Sequence, residues 1–233
     1  MIFFMRNLDH KHRMRQMTLV VMAALGFAIL ALVMSSAGST PARADTSKPA
    51  ALTAEDRADL DRVSTYLSNL TDMQGNFLQV GPDGSLAEGK FYLRRPGRLR
   101  FEYTPPEQML VVADGTWVAV KDGFSATQRY PIGATPLGIL LSPHVDLAKE
   151  VNVLAVEHQA GALRVKLADK SGNAPGDITL VFDEPALQLR QWVVTDAQGL
   201  QTTLALRNIQ TGLRADNALF TLKTEQRPGI GKP

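Results

Sequence analysis

The sequence predicts a mainly β fold with a few helices, built on one antiparallel sheet that curls on itself. Three observations lead there. From Gln74 onward apolar and polar residues alternate at period two, turn-forming pairs break that alternation at short intervals, and only two apolar stretches take up helical spacing instead. The first helix is expected at 53–69. Thr53 is placed as its N-cap with Asp56 at N3, and Leu60, Val63, Leu67 and Leu70 form an apolar stripe opposite a charged face. Strands are expected near 74–80, 86–95, 98–104, 108–113, 116–121 and 126–131. They are separated by Gly81-Pro82-Asp83-Gly84, Pro96-Gly97, Pro105-Pro106, Asp114-Gly115 and Asp122-Gly123, connections short enough to force consecutive hairpins. The second helix is signalled by Thr135 as cap and Pro136 at the first helical position, with Leu137, Leu140 and Leu141 on one side. After an acidic–basic piece at 146–150, strands resume near 151–158, 161–168, 177–183, 187–195, 200–208 and 219–222.

About a dozen antiparallel strands in one domain curl, and their open edges must be closed or covered. The two amphipathic helices are available to cover something, either the end of a packed core or the mouth of a cavity.

The N-terminus reads as a secretory signal over residues 1–44: a basic start, an apolar run from Met17 to Met34, and the small-residue site Ala42-Arg43-Ala44, which favours cleavage before Asp45. An uncleaved anchor is the alternative, since the run approaches the length of a membrane span. With no cysteine there is neither a disulfide nor a lipid-attachment residue. Residues 1–44 carry five of the 25 basic and one of the 23 acidic residues, leaving 20 against 22. A slightly acidic mature chain gives no reason to expect nucleic acid or general attraction to anionic lipid. Residues 45–52 read as a disordered leader, 53–226 as one domain, and 227–233 as a loose tail.

Signals of enzymatic chemistry are poor. His144 and His158 lie on different elements without partners at metal-ligand spacing, Asp183-Glu184 before Pro185 reads as a turn, and no nucleophile elbow or phosphate loop occurs. No cofactor or metal is therefore expected.

The stretch from Gly89 to Gly115 holds the unusual feature. Phe91, Leu93 and Arg95 share one strand face, so a cation points the same way as the apolar set; Leu99, Phe101 and Tyr103 return on the partner strand. An unpaired charge in an apolar interior costs several kcal/mol, so Arg95 must find carbonyls, carboxylates or water, unless a register slip at 94–96 leaves it in solvent.

Here the residues carry a resemblance. Phe77 and Gln79 as F-x-Q, Asp83-Gly84, Glu88-Gly89 with Phe91, Arg95-Pro96, the aromatic strand 99–103, Pro105-Pro106 and Ala113-Asp114-Gly115 resemble the outer-membrane lipoprotein carrier family of LolA type. The likeness covers roughly residues 53–222 and is strongest to the branch reading FYLRRPGRLRFEY. It implies an incomplete antiparallel β-barrel of about 11 strands, with a helical lid over a hydrophobic cavity. By resemblance the acyl cavity is lined by Phe77, Phe91, Leu93, Leu99, Phe101, Tyr103, Met109, Val111, Trp117 and Trp192, any of which taken singly is also ordinary core. Lid helices present Leu60, Val63, Leu67, Leu137, Leu140 and Leu141, and Arg95 latches them through carbonyls at a helix C-terminus. The chain departs from the family at Thr116-Trp117-Val118-Ala119-Val120, where many relatives carry L-W-x-Y.

The resemblance further implies a periplasmic, monomeric, non-catalytic carrier of acylated lipoproteins. It would receive them from an inner-membrane lipoprotein-releasing ABC transporter and deliver them toward the outer membrane, to a separate acceptor lipoprotein if one exists. Rival readings are a binding or sensor protein of the same fold for another apolar ligand, and a periplasmic hydrolase of lipid esters, which lacks a nucleophile and base.

Overall fold

A computed structural model describes residues 50–122, 126–143 and 145–222. The expected signal, most of the leader, the tail, Gly123 of one expected turn, and His144 lie outside the described residues. The near end of the leader does not: the Ala50 N–H donates to the Val153 carbonyl at 3.0 Å, and Leu52 packs on the core.

Eleven strands follow one another as β1 (Asp72–Val80), β2 (Leu86–Arg94), β3 (Arg98–Tyr103), β4 (Met109–Asp114), β5 (Trp117–Asp122), β6 (Gln128–Pro131), β7 (Val151–Gln159), β8 (Ala162–Asp169), β9 (Asp177–Asp183), β10 (Gln188–Thr195) and β11 (Gln201–Thr211). They form a single sheet in the order β6-β5-β4-β3-β2-β1-β11-β10-β9-β8-β7, with every pairing antiparallel. Every join but one therefore links sequence neighbours. The exception zips β1 to β11 from Met73↔Thr211 to Val80↔Thr203 and fuses the two halves. β6 and β7 remain unjoined, and the sheet is an incomplete barrel around one buried apolar cluster to which both halves contribute.

The alternation is clearest in β2 and β3, where Ala87, Phe91, Leu93, Leu99 and Phe101 are buried and Lys90, Arg94, Arg98 and Arg100 are not. Gly89 sits where a side chain cannot: an added Cβ would lie 1.9 Å from the Glu102 carbonyl oxygen and 2.8 Å from the Phe77 ring.

Helix α1 (Ala54–Asn69) begins as expected, with the Thr53 hydroxyl accepting from the Asp56 N–H and the Asp56 carboxylate accepting from the Thr53 N–H. Its buried Leu60, Val63 and Leu67 each contribute about 1.5–3 kcal/mol of apolar burial. Tyr66 anchors it to the sheet: its ring meets Phe182 edge-on at 5.6 Å, and its hydroxyl accepts from the Leu189 N–H at 3.2 Å. Helix α2 (Leu137–Leu141) and one-turn α3 (Leu147–Glu150) follow β6, and the Leu147 N–H bonds to Ser64 Oγ on α1.

Three expectations need correction. Residues 217–220 are a 3-10 turn, not a strand, because the Asp216 side chain caps the Ala218 N–H. Thr135 does not cap α2; its hydroxyl donates to the Ile132 carbonyl and closes a preceding 3-10 turn at 132–134. The β2 strand stops at Arg94, which pairs with Arg98, so the hairpin loop is the three residues 95–97 and Arg95 belongs to the turn.

Candidate functional site

β1 to β4 and β10 bring nine of the ten expected lining residues together. Phe77, Phe91, Leu93, Leu99, Phe101, Met109, Val111 and Trp192 are buried, and the partly buried Tyr103 packs against them. At the centre Phe77 meets Phe101 edge-on at 5.0 Å and Tyr103 at 4.9 Å, and Phe101 meets Trp192 at 6.1 Å. Such pairs add about 0.5–1.5 kcal/mol each beyond area burial.

Trp117 is the exception. It is 43% exposed. Val118 and Val120 take the inner face of β5, and Ala119 is buried as well, so this apolar run shows no alternation from which its register could be read.

Sequence reasoning missed the polar pair inside this cluster. The Tyr103 hydroxyl donates to Gln79 Oε1 at 2.7 Å, and Gln79 is buried. Burial pushes the Tyr103 pKa well above its ordinary value, so the phenol stays a neutral donor. The F-x-Q spacing places Gln79 on the same strand face as Phe77, which was the available signal. The far half of the lining, with Val165, Leu180, Phe182 and Leu204, was likewise legible only as alternation.

The lid has two parts. α1 lies over β7, β9 and β10, where the buried Asp59 carboxylate is 2.8 Å from Arg62 Nη1 and 2.9 Å from His158 Nε2, and Arg62 also reaches Glu184. His158 on β7 thus lies beside a carboxylate of α1; among the described residues no cluster of His, Asp or Glu could hold a metal ion. α2 lies over the aromatic centre. Leu137, Leu140 and Leu141 are fully buried, and Leu137 lines, with Gln79, Phe101, Tyr103 and Trp192, a small void of about 10 Å³. That is room for about one water.

The 95–97 turn grips the end of α2. The Gly97 N–H donates to the Leu141 carbonyl at 2.9 Å, and Arg95 Nη2 donates to the Ser142 carbonyl, where helix carbonyls lack internal partners and the dipole favours a cation. Only glycine fits at 97: its φ is +73°, and a Cβ would stand 2.6 Å from Gly115 Cα. Arg95 is half-buried, burial lowers its pKa, and its buried Nε and Nη1 have no hydrogen-bond partner. Arg94 points the other way, donating to the Ala215 carbonyl and Asn217 Oδ1.

The arrangement is an apolar interior closed by a hydrogen-bonded helix. The chain is 28% identical over 169 residues to an outer-membrane lipoprotein carrier protein of Methylococcus capsulatus, covering 68% of this chain and 80% of that protein. It is 31% identical over 172 residues to an outer-membrane lipoprotein carrier protein of Bordetella avium, covering 69% and 80%. The crystal structure of a LolA superfamily protein from Nitrosomonas europaea aligns with 70% of this chain and 97% of that one at 9% identity and a TM-score of 0.43, a likeness too loose to equate side chains. The sequence model of the family described as "Outer membrane lipoprotein carrier protein LolA" matches residues 68–223, from the end of α1 past the last 3-10 turn. With two-thirds of its length so matched, the chain belongs to the outer membrane lipoprotein carrier (LolA) family.

Proposed function

We propose that this chain is a periplasmic, non-catalytic carrier. It takes up the acyl chains of lipoproteins released from the inner membrane by an ABC transporter and delivers them to the outer membrane. Residues 1–44 serve as a cleaved signal and 53–226 as the carrier domain. The observation that carries the reading is the apolar interior closed by α2 and gripped from the 95–97 turn. The cargo makes such a device necessary. Each acyl CH₂ moved into water costs about 0.8 kcal/mol, so one chain of ~14 carbons needs on the order of 10 kcal/mol of shelter.

A void of about 10 Å³ holds no acyl chain, so loading requires the lid and the lining to move. The grip on α2 suits that need. It consists of one side-chain and one backbone bond to carbonyls at a helix end, enough to hold a five-residue helix and weak enough to release it. Closure in the empty state keeps the lining from becoming an exposed apolar patch.

The test is mass spectrometry of the protein isolated from its native periplasm. Triacylated or diacylated lipoprotein peptides are expected as the dominant bound species. Recovery of another lipid class alone would assign the fold to a different cargo, and turnover of acyl esters by the purified protein would revive a hydrolase.

A further inference from the structure

On the apolar inner face of the barrel, β1 and β11 each turn one polar side chain inward. Gln79 stands two residues after Phe77 on β1 and Thr202 two before Leu204 on β11, so both follow the inward alternation of their strands. Each is 1% exposed. Gln79 pairs with Leu204 across the β1–β11 ladder, which sets Thr202 diagonally beside it at about 7–8 Å. The hydrogen bonding here is lopsided toward donors. The Tyr103 hydroxyl donates to Gln79 Oε1 at 2.7 Å, which occupies the acceptor end of the amide and leaves its two N–H groups as the available end. No described residue accepts from them. The buried Thr202 hydroxyl has no hydrogen-bond partner either. Buried donors without acceptors are destabilising, so an acceptor brought to them gains more than it would in water. The small void beside Gln79 marks where such an acceptor fits: it is bounded by Phe101, Tyr103, Trp192 and Leu204, and on the lid side by Leu137 of α2. None of these side chains is charged. An ion there would lose its hydration without gaining a counter-charge, whereas a neutral acceptor would not.

We infer that Gln79, seconded by Thr202, is a hydrogen-bond subsite for the ester or amide carbonyl that heads an acyl chain. The inference rests on the carrier reading and deepens it, by naming what the interior recognises in its cargo. Apolar packing is non-directional: it neither distinguishes an acyl from an alkyl chain nor holds a chain at one depth. A fixed donor does both. The carbonyl is the strong acceptor of a fatty acyl group, and a donor beneath α2 stops that end of the chain under the lid while the methylenes continue along the apolar lining. Tyr103 is a positioning residue in this scheme. Its bond to Oε1 holds the amide so that donors, and not the acceptor, remain for the ligand.

The experiment titrates the delipidated mature chain with three amphiphiles that differ in one linkage: dodecanoylglycerol, its N-dodecanoyl amide counterpart, and the dodecyl ether of glycerol. Affinity is measured for each, together with the infrared carbonyl stretch of the bound ester. A carbonyl compound is expected to bind about three- to tenfold more tightly than the ether, and the two carbonyl arms show which linkage is read. The stretch of the bound ester should lie at lower frequency than that of the same ester in alkane. Gln79→Met/Tyr103→Phe replaces both members of the buried pair with apolar side chains of similar shape and orphans neither. It should equalise the affinities, return the stretch to its alkane value and leave ether binding in place. Thr202→Val, close in shape, should reduce the preference by roughly twofold. The wild-type comparison and the stretch decide the matter even if the double variant folds poorly. Ether binding as tight as that of both carbonyl compounds, or a preference and a lowered stretch that persist in the double variant, overturns the subsite and leaves the carrier reading standing. Failure of all three amphiphiles to bind overturns the carrier reading and this inference with it.

Discussion

Arg95 engages one lid carbonyl while two of its nitrogens, Nε and Nη1, lie buried and without a partner, and this imbalance decides what its removal does. The bond from a charged donor is worth about 1.5–3 kcal/mol of closed lid. Against it stands the desolvation of a half-buried cation that is not fully satisfied. Arg95→Leu is therefore expected to raise amide exchange over 137–142 on the order of tenfold, while changing global stability by less than about 1 kcal/mol. Urea melts alongside exchange separate the two effects. Arg94→Leu should instead loosen 215–220, where its bonds go, and leave α2 alone. The tryptophans make a second contrast. Trp192→Ala should cost about 3–5 kcal/mol as a core truncation, whereas Trp117→Ala, on an exposed ring, should stay within about 0.5 kcal/mol; chemical denaturation reads both. The inward bias of Arg95 was legible from its place after Phe91 and Leu93. Its membership in the turn was not, because Arg94-Arg95 offers two equivalent cations at a strand end and only cross-strand pairing shows where the ladder stops.

Among the elements, α1 was legible to the residue because its signals are local: a cap, an acid three residues on, and an apolar stripe. Thr53→Ala is expected to destabilise the domain by about 1 kcal/mol. The Thr53 N–H and hydroxyl hold the Asp56 carboxyl below its ordinary pKa of 3.8, so the cap's contribution is fully present above that value and lost as pH falls through the depressed one. Acid titration of α1 exchange, with Asp56→Asn as control, checks the sign. Where elements owe their form to distant contacts, sequence patterns misled. β5 is buried on both faces at Val118, Ala119 and Val120, which erases the alternation that would have placed Trp117 outside. The 3-10 turn at 217–220 lies against the outer side of β3, where Arg100 Nη1 donates to the Leu219 carbonyl, so its apolar residues mimic a strand without pairing as one. No local signal marks Ser142 as the acceptor for Arg95, since 47 residues separate them.

At the scale of the whole molecule the sheet order followed from short turns, and the β1–β11 join was the step no local pattern encodes. The packed interior also decides what truncating it should cost. A loose shelter would tolerate truncation of its lining, but Leu99 and Phe101 are buried in the core cluster, and the void that Phe101 lines is only about 10 Å³. In empty protein Leu99→Ala should thus cost about 2–5 kcal/mol, like any core leucine, and denaturant melts decide it. Under the proposed carrier function the cavity would be a state reached on loading, stabilised by cargo and paid for by opening α2. The most direct test is amide exchange of the mature chain with and without an acylated lipoprotein peptide, using the same peptide lacking acyl chains as control. The acylated peptide alone is expected to accelerate exchange over 137–142 and to leave β9 and β10 as slow as in the empty protein. Exchange over 137–142 that is unchanged by the acylated peptide, or shifted equally by both peptides, would contradict a lid-gated acyl carrier.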